Sequence, residues 1–270
     1  MIPKRNLMRN LKKAVFEPEY AMKAFYKRFK SYLSYKFTEG GKSAYPESIT
    51  LFPTYRCNMR CQMCGQWGKA GASKEYSNEQ LRGELDFGLV CKFLDEVSSF
   101  KPHITLFGGE PLLYKDISGL LKKIKSLKLH TCIITNGLLI GNMADELVDL
   151  KLDELSVSID GPSELHDEIR GVKGSFERIK EGIKKVVELK KMKNQKQPVI
   201  NIVTTISNLN YNRIDEMVGI SDDLSANTLN FHHLIFIDDS TFNGHNEIFN
   251  SCFGQGSPDW KGFIYDETKK

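Results

Sequence analysis

From residue 49 onwards, short apolar runs alternate with longer amphipathic runs along the chain. The apolar runs predict strands near residues 49–54, 103–107, 130–135, 154–160, 199–205 and 228–236. The amphipathic runs predict helices near residues 78–99, 116–127, 142–150, 175–193 and 211–224. Such alternation is typical of parallel strands joined by crossover helices. We therefore expect an α/β fold, either a six-stranded barrel or part of one, or a doubly wound sheet.

The length and composition of the chain are those of a folded protein. Of its 270 residues, 40% are hydrophobic and 27% are charged, which suffices for a full core and differs from the composition of disordered chains. No run reaches the roughly 18 uninterrupted apolar residues of a membrane-spanning helix. The N-terminal residues lead into bases rather than an apolar segment, which is untypical of a secretory signal. These features predict a cytoplasmic protein.

The net charge of +4 is unevenly distributed along the sequence. Residues 1–37 contain ten bases and two acids, a net charge of +8, whereas the remainder carries a net charge of −4. Because a nucleic-acid-binding body needs a basic surface, we expect no nucleic-acid partner.

The basic N-terminal segment is predicted to form two helices, at residues 7–16 and 20–37. In the second helix, apolar residues recur at helical spacing: Met22, Phe25, Phe29, Tyr32 and Leu33. This segment either packs on the rest of the protein with its bases in water, binds a partner, or lies peripherally on the anionic inner face of a membrane. We expect a basic helical extension and linker at 1–48, a core domain at 49–240 and a tail at 241–270.

Residues suited to chemistry follow the first four predicted strands. A cysteine triplet follows the first strand, and Gly108-Gly109-Glu110-Pro111 follows the second. Thr135-Asn136-Gly137 lies at the end of the third strand, and Ser158-Ile159-Asp160-Gly161 lies at the end of the fourth. In α/β barrels the active site lies on the loops after the carboxyl ends of the strands. One rim of a barrel would therefore collect all four groups.

Cys57, Cys61 and Cys64 place three thiols within eight residues. A crowded set of this kind binds metal more often than it forms disulfides in a reducing compartment. A closed structural zinc site needs four ligands, and no fourth cysteine or histidine lies nearby in the sequence. Three cysteines on a cubane iron–sulfur cluster would leave one iron open to another ligand. Zinc bound with a distant fourth ligand remains the alternative.

The other groups are ambiguous when taken singly. The two glycines could form a simple turn or let a ligand approach the backbone, with Glu110 holding an amine. In the fourth strand, Ser158 and Asp160 alternate with apolar residues and would face the barrel interior or solvent. Arg170 could bind a carboxylate in a bidentate contact or be a surface arginine at a helix end.

Taken together, Cys57-x3-Cys61-x2-Cys64 and the Gly-Gly-Glu-Pro motif resemble the radical SAM (S-adenosylmethionine) enzymes over residues 49–240. The resemblance implies a partial (β/α)6 TIM-like barrel in which the three cysteines bind a [4Fe–4S] cluster. It also implies that the remaining motif residues bind SAM: Met63 near the adenine, Gly108, Gly109, Glu110 and Pro111 at the methionine amino group, Asn136 near the methionyl moiety, Ser158 and Asp160 at the methionine end and the ribose, and Arg170 at the carboxylate.

The resemblance further implies an activity. SAM would bind the open iron, and one electron from the cluster would cleave it to methionine and a 5′-deoxyadenosyl radical that abstracts hydrogen from a substrate. The electron would come from a reductant such as a flavodoxin or ferredoxin. The substrate, whether a peptide, sugar, lipid or small molecule, is not indicated.

The chain departs from many relatives in its C-terminal region. Relatives with further clusters carry additional cysteines after the sixth strand, where this chain has only Cys252. Either the protein uses one cluster, or the 270 residues are a fragment in which the tail at 241–270 begins a missing C-terminal domain. In the second case the protein could be a peptide- or protein-modifying maturase that lacks its auxiliary-cluster domain. A non-catalytic metal-binding module with zinc in the cysteine loop is the alternative from a different class.

Overall fold

The structure, a computed structural model, describes residues 18–37, 44–68, 71–235, 237–254 and 258–264. The chain divides into two compact units, Met1–Ser48 and Ile49–Lys270. The helix predicted at 7–16 lies outside the described residues, whereas the second predicted helix is present as α1, Pro18–Phe37. No helix among the described residues combines the length and apolarity needed to cross a membrane.

Six parallel strands form the sheet of the second unit, in the spatial order of the sequence. They are β1 Ser48–Leu51, β2 His103–Leu106, β3 Thr131–Thr135, β4 Glu154–Ser158, β5 Val199–Ile206 and β6 Thr228–His233. A doubly wound sheet would reverse its strand order at a switch point, which this sheet does not do. The sheet is also open, since β1 and β6 are not neighbours. The prediction of a partial barrel is confirmed.

Helices connect the strands and continue past β6. They are α2 Asn78–Arg82, α3 Phe87–Val97, α4 Ile117–Ser126, α5 Ile140–Asp149, α6 Ser163–Arg170, α7 Ser175–Met192, α8 Glu216–Asp223 and α9 Asp239–Phe253. Short 3-10 helices include Ala72–Glu75, Pro111–Leu113, Tyr211–Arg213 and Pro258–Phe263.

The helix predicted at 78–99 is two helices in the structure. A capping box at Ser77 begins the first of them, because Ser77 and Gln80 exchange hydrogen bonds between side chain and backbone. The short helix then ends at Gly83, and the Asp86 carboxylate accepts a hydrogen bond from the Leu89 N–H to begin α3. A second N-cap therefore restarts the helix within one amphipathic run.

The apolar core lies between the sheet and its helices. In β4 and the residue after it, Leu155, Val157 and Ile159 are buried in this core, as their alternation predicts. Ser156, from the other face of β4, hydrogen-bonds in the barrel interior to Asn201 of β5, with an N···O distance of 3.5 Å. The strands therefore bury one face under the helices and collect polar groups on the other.

Two glycines let α5 and α7 pack closely. A Cβ at Gly182 of α7 would lie 2.8 Å from the backbone nitrogen of Gly141 in α5. Since backbone atoms cannot move aside as a flexible side chain can, Gly182 sets the separation of these helices.

We expect Gly182→Ala to lower the free energy of unfolding by about 1–3 kcal/mol, the usual cost of overpacking. Gly219→Ala in α8 is the matched control, because a Cβ there meets no atom within 4 Å. This control should raise stability by about 0.5–1 kcal/mol through helix propensity. Denaturant unfolding of both variants measures the difference, and equal effects would contradict the packing role of Gly182.

Candidate functional site

The loop after β1 carries the three predicted cysteine ligands. Its backbone turns sharply at the third cysteine, where the Cys64 N–H donates to the Cys61 carbonyl at 3.1 Å and the Gly68 N–H to the Cys64 carbonyl at 2.9 Å. The Trp67 N–H lies 3.3 Å from the Cys64 sulfur, in hydrogen-bonding geometry. N–H groups directed at sulfur are typical of iron–sulfur sites, whose potentials they tune.

Burial disfavours the thiolate form of two of these cysteines. Cys61 is buried, whereas Cys57 and Cys64 are half-buried, and all six cysteines of the chain are free thiols. Burial raises the pKa of Cys57 to about 11 and also raises the pKa of Cys61, against the opposing effect of the Arg170 guanidinium. Metal ions bind the thiolate, so a metal on this loop would displace thiol protons.

The end of α6 fixes the cysteine loop from one side. The Arg60 N–H donates to the Arg170 carbonyl at 3.2 Å, and the Gln62 N–H donates to the Ile169 carbonyl at 2.9 Å. Gly171, at φ +71°, ends the helix, and a Cβ there would lie 2.8 Å from the Arg60 carbonyl oxygen. A left-handed glycine C-cap therefore permits this close approach.

The Gly-Gly-Glu-Pro motif fixes the cysteine loop from the other side. The Gly109 N–H donates to the Thr54 carbonyl at 3.0 Å, and the Glu110 N–H donates to the Arg56 carbonyl at 2.7 Å. A Cβ at Gly109 would lie 2.3 Å from the Arg56 carbonyl oxygen. The glycine is thus required for contact between two backbones, in addition to any contact with a ligand.

The Glu110 side chain is directed into the protein. One carboxylate oxygen accepts hydrogen bonds from the Thr135 hydroxyl at 2.7 Å and the Leu112 N–H at 3.1 Å, and the other accepts from the Asn136 N–H at 2.7 Å. Burial raises the pKa of Glu110 to about 7, although these donors oppose the shift. The carboxylate therefore positions the loop after β3, and its contact with a ligand amine stays a prediction.

Asn136 connects the loop after β3 to the first cysteine. Its side-chain amide donates to the Asn58 side-chain oxygen at 2.7 Å and lies 3.8 Å from the Cys57 sulfur. Its own side-chain oxygen accepts from the Leu138 N–H at 3.1 Å. The sequence predicted that Asn136 lies on the same rim as the cysteines, and the structure brings them into contact.

Asp160 and Arg170 form a buried ion pair beside the second cysteine. The guanidinium lies 2.5 Å from one Asp160 oxygen and 3.7 Å from the Cys61 sulfur, while the other Asp160 oxygen accepts from the Thr205 N–H at 2.8 Å. Burial disfavours the charged guanidinium, but the charges of Asp160 and Cys61 outweigh burial and raise the pKa of Arg170. Asp160 thus orients Arg170, and a contact between Asp160 and ribose stays a prediction.

Arg170 retains one unsatisfied donor. Its buried Nε has no hydrogen-bond partner among the residues that the structure describes. A buried donor without a partner costs about 1–3 kcal/mol, and a ligand carboxylate would remove this cost. The surface-arginine alternative does not apply, because Arg170 is only 9% exposed.

The remaining predicted residues lie around this rim. Ser158 is half-buried at the carboxyl end of β4, and Met63 is half-buried between the second and third cysteines, packed against the core. Pro111 is buried as the first residue of its 3-10 turn. Their contacts with SAM stay predictions.

The structure adds residues that the sequence motifs did not indicate. Asn210 donates to the carbonyls of Asp160 at 2.8 Å and Thr205 at 2.9 Å, and so holds the ends of β4 and β5 together. The ring of Phe263, from the last 3-10 turn, occupies the space that a Cβ of Gly65 would need. The contacts of Asn210 with Asp160 and of Phe263 with Gly65 join residues far apart in the sequence, and no local pattern signals them.

We expect Gly109→Ala to displace the cysteine loop, because the added methyl group overlaps the Arg56 carbonyl. The variant should lose about 1–3 kcal/mol of stability and hold less iron per chain after anaerobic reconstitution. Gly244→Ala in α9, where a Cβ meets nothing within 4 Å, is the control and should hold wild-type iron. Unchanged iron content in Gly109→Ala would contradict the account of this contact.

Comparison with known proteins places these features in a family. Residues 51–219 match the Radical SAM superfamily. The chain is 33% identical over 195 residues to an AdoMet-dependent heme synthase of Methanosarcina barkeri, covering 71% of this chain and 51% of the relative. It is 29% identical over 194 residues to a pre-heme d1 synthase of Dinoroseobacter shibae, covering 71% of this chain and 44% of the relative. The chain thus spans about half the length of these curated relatives.

Solved structures show the same fold. SuiB of Streptococcus suis, in a crystal structure with bound S-adenosylmethionine, superposes with a TM-score of 0.60 at 20% identity, covering 87% of this chain and 52% of that chain. Native anSMEcpe with bound AdoMet gives a TM-score of 0.54 at 19% identity, covering 70% of this chain and 53% of that chain. The cofactors of the matched family are a [4Fe–4S] cluster and SAM. This chain belongs to the radical SAM superfamily of enzymes.

Proposed function

We propose that this chain binds a [4Fe–4S] cluster through Cys57, Cys61 and Cys64 and uses it in radical SAM chemistry. When bound, the cluster supplies one electron that cleaves SAM reductively into methionine and a 5′-deoxyadenosyl radical, which abstracts hydrogen from the substrate. The observation that carries the proposal is the arrangement of three thiols on one loop, fixed on both sides by the Gly-Gly-Glu-Pro motif and α6.

The donor set fits such a cluster. Three thiols lie within eight residues, and no fourth cysteine or histidine follows them in the same loop. The Trp67 N–H and the Arg170 guanidinium are both directed at cysteine sulfurs, where they stabilise thiolate charge. A closed tetrahedral zinc site would need a fourth protein ligand beside these three.

The residues around the loop are suited to hold SAM. Arg170 is held in place by Asp160 and has a free buried Nε, which is suited to the SAM carboxylate. Asn136 lies against the first cysteine, and Ser158 lies at the end of the neighbouring strand, so both are suited to its methionine end. Met63 offers an apolar surface for the adenine. These residues orient the cofactor and exclude water from it.

This chain spans about half the length of its curated relatives, so its substrate and its electron donor are matters for proposal. The relatives carry names for heme synthesis, and a probable GTP 3′,8-cyclase of Methanocaldococcus jannaschii is 31% identical over 144 residues. One SuiB structure contains a precursor peptide, but likeness at 19% identity shows the fold alone. We propose hydrogen abstraction from a substrate at the carboxyl rim of the sheet, with an electron from a reductant such as a flavodoxin or ferredoxin.

Cys61→Ala tests the reaction. Anaerobically reconstituted wild type, given SAM and a strong reductant, should form 5′-deoxyadenosine, whereas Cys61→Ala should form it only at background level. Cys252→Ala is the matched control, since this cysteine is exposed on α9 outside the loop. It should retain the wild-type rate.

Chromatography measures how much 5′-deoxyadenosine wild type and each variant form per cluster. If wild type with a confirmed cluster forms none, or if Cys61→Ala forms as much as wild type, the proposed reaction is wrong. Absence of iron and retention of zinc by the wild type would favour the metal-binding module instead.

A second part of the proposal concerns α1 and an anionic membrane surface. Large apolar side chains on this helix are exposed at helical spacing: Met22, Phe25, Tyr26, Phe29, Tyr32, Leu33 and Phe37. Residues 18–37 also contain five bases and one acid. An apolar stripe combined with bases is the pattern of helices that lie in the headgroup region of anionic bilayers. The bases of α1 would attract the negative headgroups of such a bilayer, which supports peripheral membrane contact.

Phe25→Ala/Phe29→Ala tests the membrane contact. Wild type should sediment with phosphatidylglycerol vesicles in a salt-sensitive manner. The double variant should partition at least about tenfold more weakly, because each lost phenyl group removes apolar burial. Met192→Ala/Val218→Ala, which also removes exposed apolar side chains, is the control and should sediment as wild type does. Equal sedimentation of all three proteins would overturn the proposal.

A further inference from the structure

A second cluster of ligand-type side chains lies at the amino edge of the sheet. His103 is the first residue of β2, His130 immediately precedes β3, and Glu154 is the first residue of β4. The register pairs Ile104 with Thr131 and Cys132 with Glu154, so all three side chains lie on the interior face.

This cluster is separate from the cysteine site. The cysteine loop, the Gly-Gly-Glu-Pro motif and Asn136 follow the carboxyl ends of the strands. His130 and Asn136 lie at opposite ends of β3, which separates them by about 20 Å at the usual rise per strand residue.

The geometry of the cluster suits one metal ion. His130 Nδ1 lies 2.7 Å from His103 Nε2, and His130 Nε2 lies 3.7 Å from a Glu154 carboxylate oxygen. One ligand atom from each residue can be chosen so that all lie within 4.8 Å of one another. The two contacts of His130 use different nitrogens, and one ion would bind only one of them. Ligands at about 2.0–2.2 Å from a tetrahedral ion are about 3.3–3.6 Å apart, so binding requires the two imidazoles to separate from 2.7 Å and the carboxylate to approach the nitrogen that binds the ion.

Neighbouring strands orient the carboxylate toward the histidines. The Asn201 amide donates to the second Glu154 oxygen at 3.1 Å, and the Thr228 hydroxyl donates to the Asn201 side-chain oxygen at 2.7 Å. The remaining Glu154 oxygen is the one that faces His130. Metal-binding carboxylates are characteristically held by hydrogen bonds of this kind from outside the ligand set.

We propose that His103, His130 and Glu154 bind one Zn²⁺ ion at the amino edge of the sheet. Two imidazole nitrogens and one carboxylate oxygen are a ligand set that zinc accepts, with the fourth position left to water. All three residues are half-buried, so that position is reachable from solvent. The ion would join β2, β3 and β4 and stabilise the folded chain.

Zinc binding by the cluster-loaded full chain tests the proposal. After equilibrium dialysis against Zn²⁺, elemental analysis should give one zinc per wild-type chain. Glu154→Gln and His130→Gln should each weaken binding by at least about tenfold. His245→Gln, a histidine of α9 outside the cluster, is the control and should bind zinc as wild type does.

Two further measurements separate the site from loss of folding and from the thiols. Zinc should raise the Tm of wild type and His245→Gln but leave that of Glu154→Gln and His130→Gln unchanged. The Cys57→Ser/Cys61→Ser/Cys64→Ser variant should still bind one zinc. The proposal is overturned if wild type binds no zinc, if folded Glu154→Gln and His130→Gln bind it as tightly as wild type, or if removing the three thiols abolishes binding.

Discussion

The site depends on the contact between the backbone of the cysteine loop and two loops that are distant in sequence. On one side the Gly109 and Glu110 N–H groups donate to carbonyls of the cysteine loop, and on the other side Arg60 and Gln62 donate to the end of α6. The parallel sheet makes these contacts possible, because it brings the carboxyl ends of β1, β2 and β4 to one rim. Glycine is needed where the backbones meet, since a Cβ at Gly109 or Gly171 would overlap a carbonyl oxygen.

Asp160 and Arg170 place two buried charges of opposite sign at this rim. Removing two ions from water costs several kcal/mol each unless their geometry and hydrogen bonds compensate. The buried charge of Asp160 is compensated by Arg170 and the Thr205 N–H. Arg170 contacts the Cys61 sulfur, but its Nε has no hydrogen-bond partner in the part of the chain that the structure describes. This unused donor supports the proposal that Arg170 binds an anionic ligand group.

Much of this arrangement could be predicted from the sequence, because it follows from periodicity and from where motifs lie relative to strands. The six strands, the polar face of β4 and the rim shared by Asn136 and the cysteines depend only on such local signals. The inward direction of Glu110, the pairing of Asp160 with Arg170 and the contact of Phe263 with Gly65 could not be predicted, since they depend on tertiary contacts. The break at Gly83 was missed because one amphipathic pattern continues through two helices.

As proposed, Cys57, Cys61 and Cys64 would hold a cluster with one iron left for SAM. The most direct measurement is the EPR spectrum of the reduced, cluster-loaded chain before and after addition of SAM. Saturating SAM should change the line shape of the cluster signal, because SAM would become a ligand of the open iron. A reduced-cluster signal that is identical with and without SAM would contradict it.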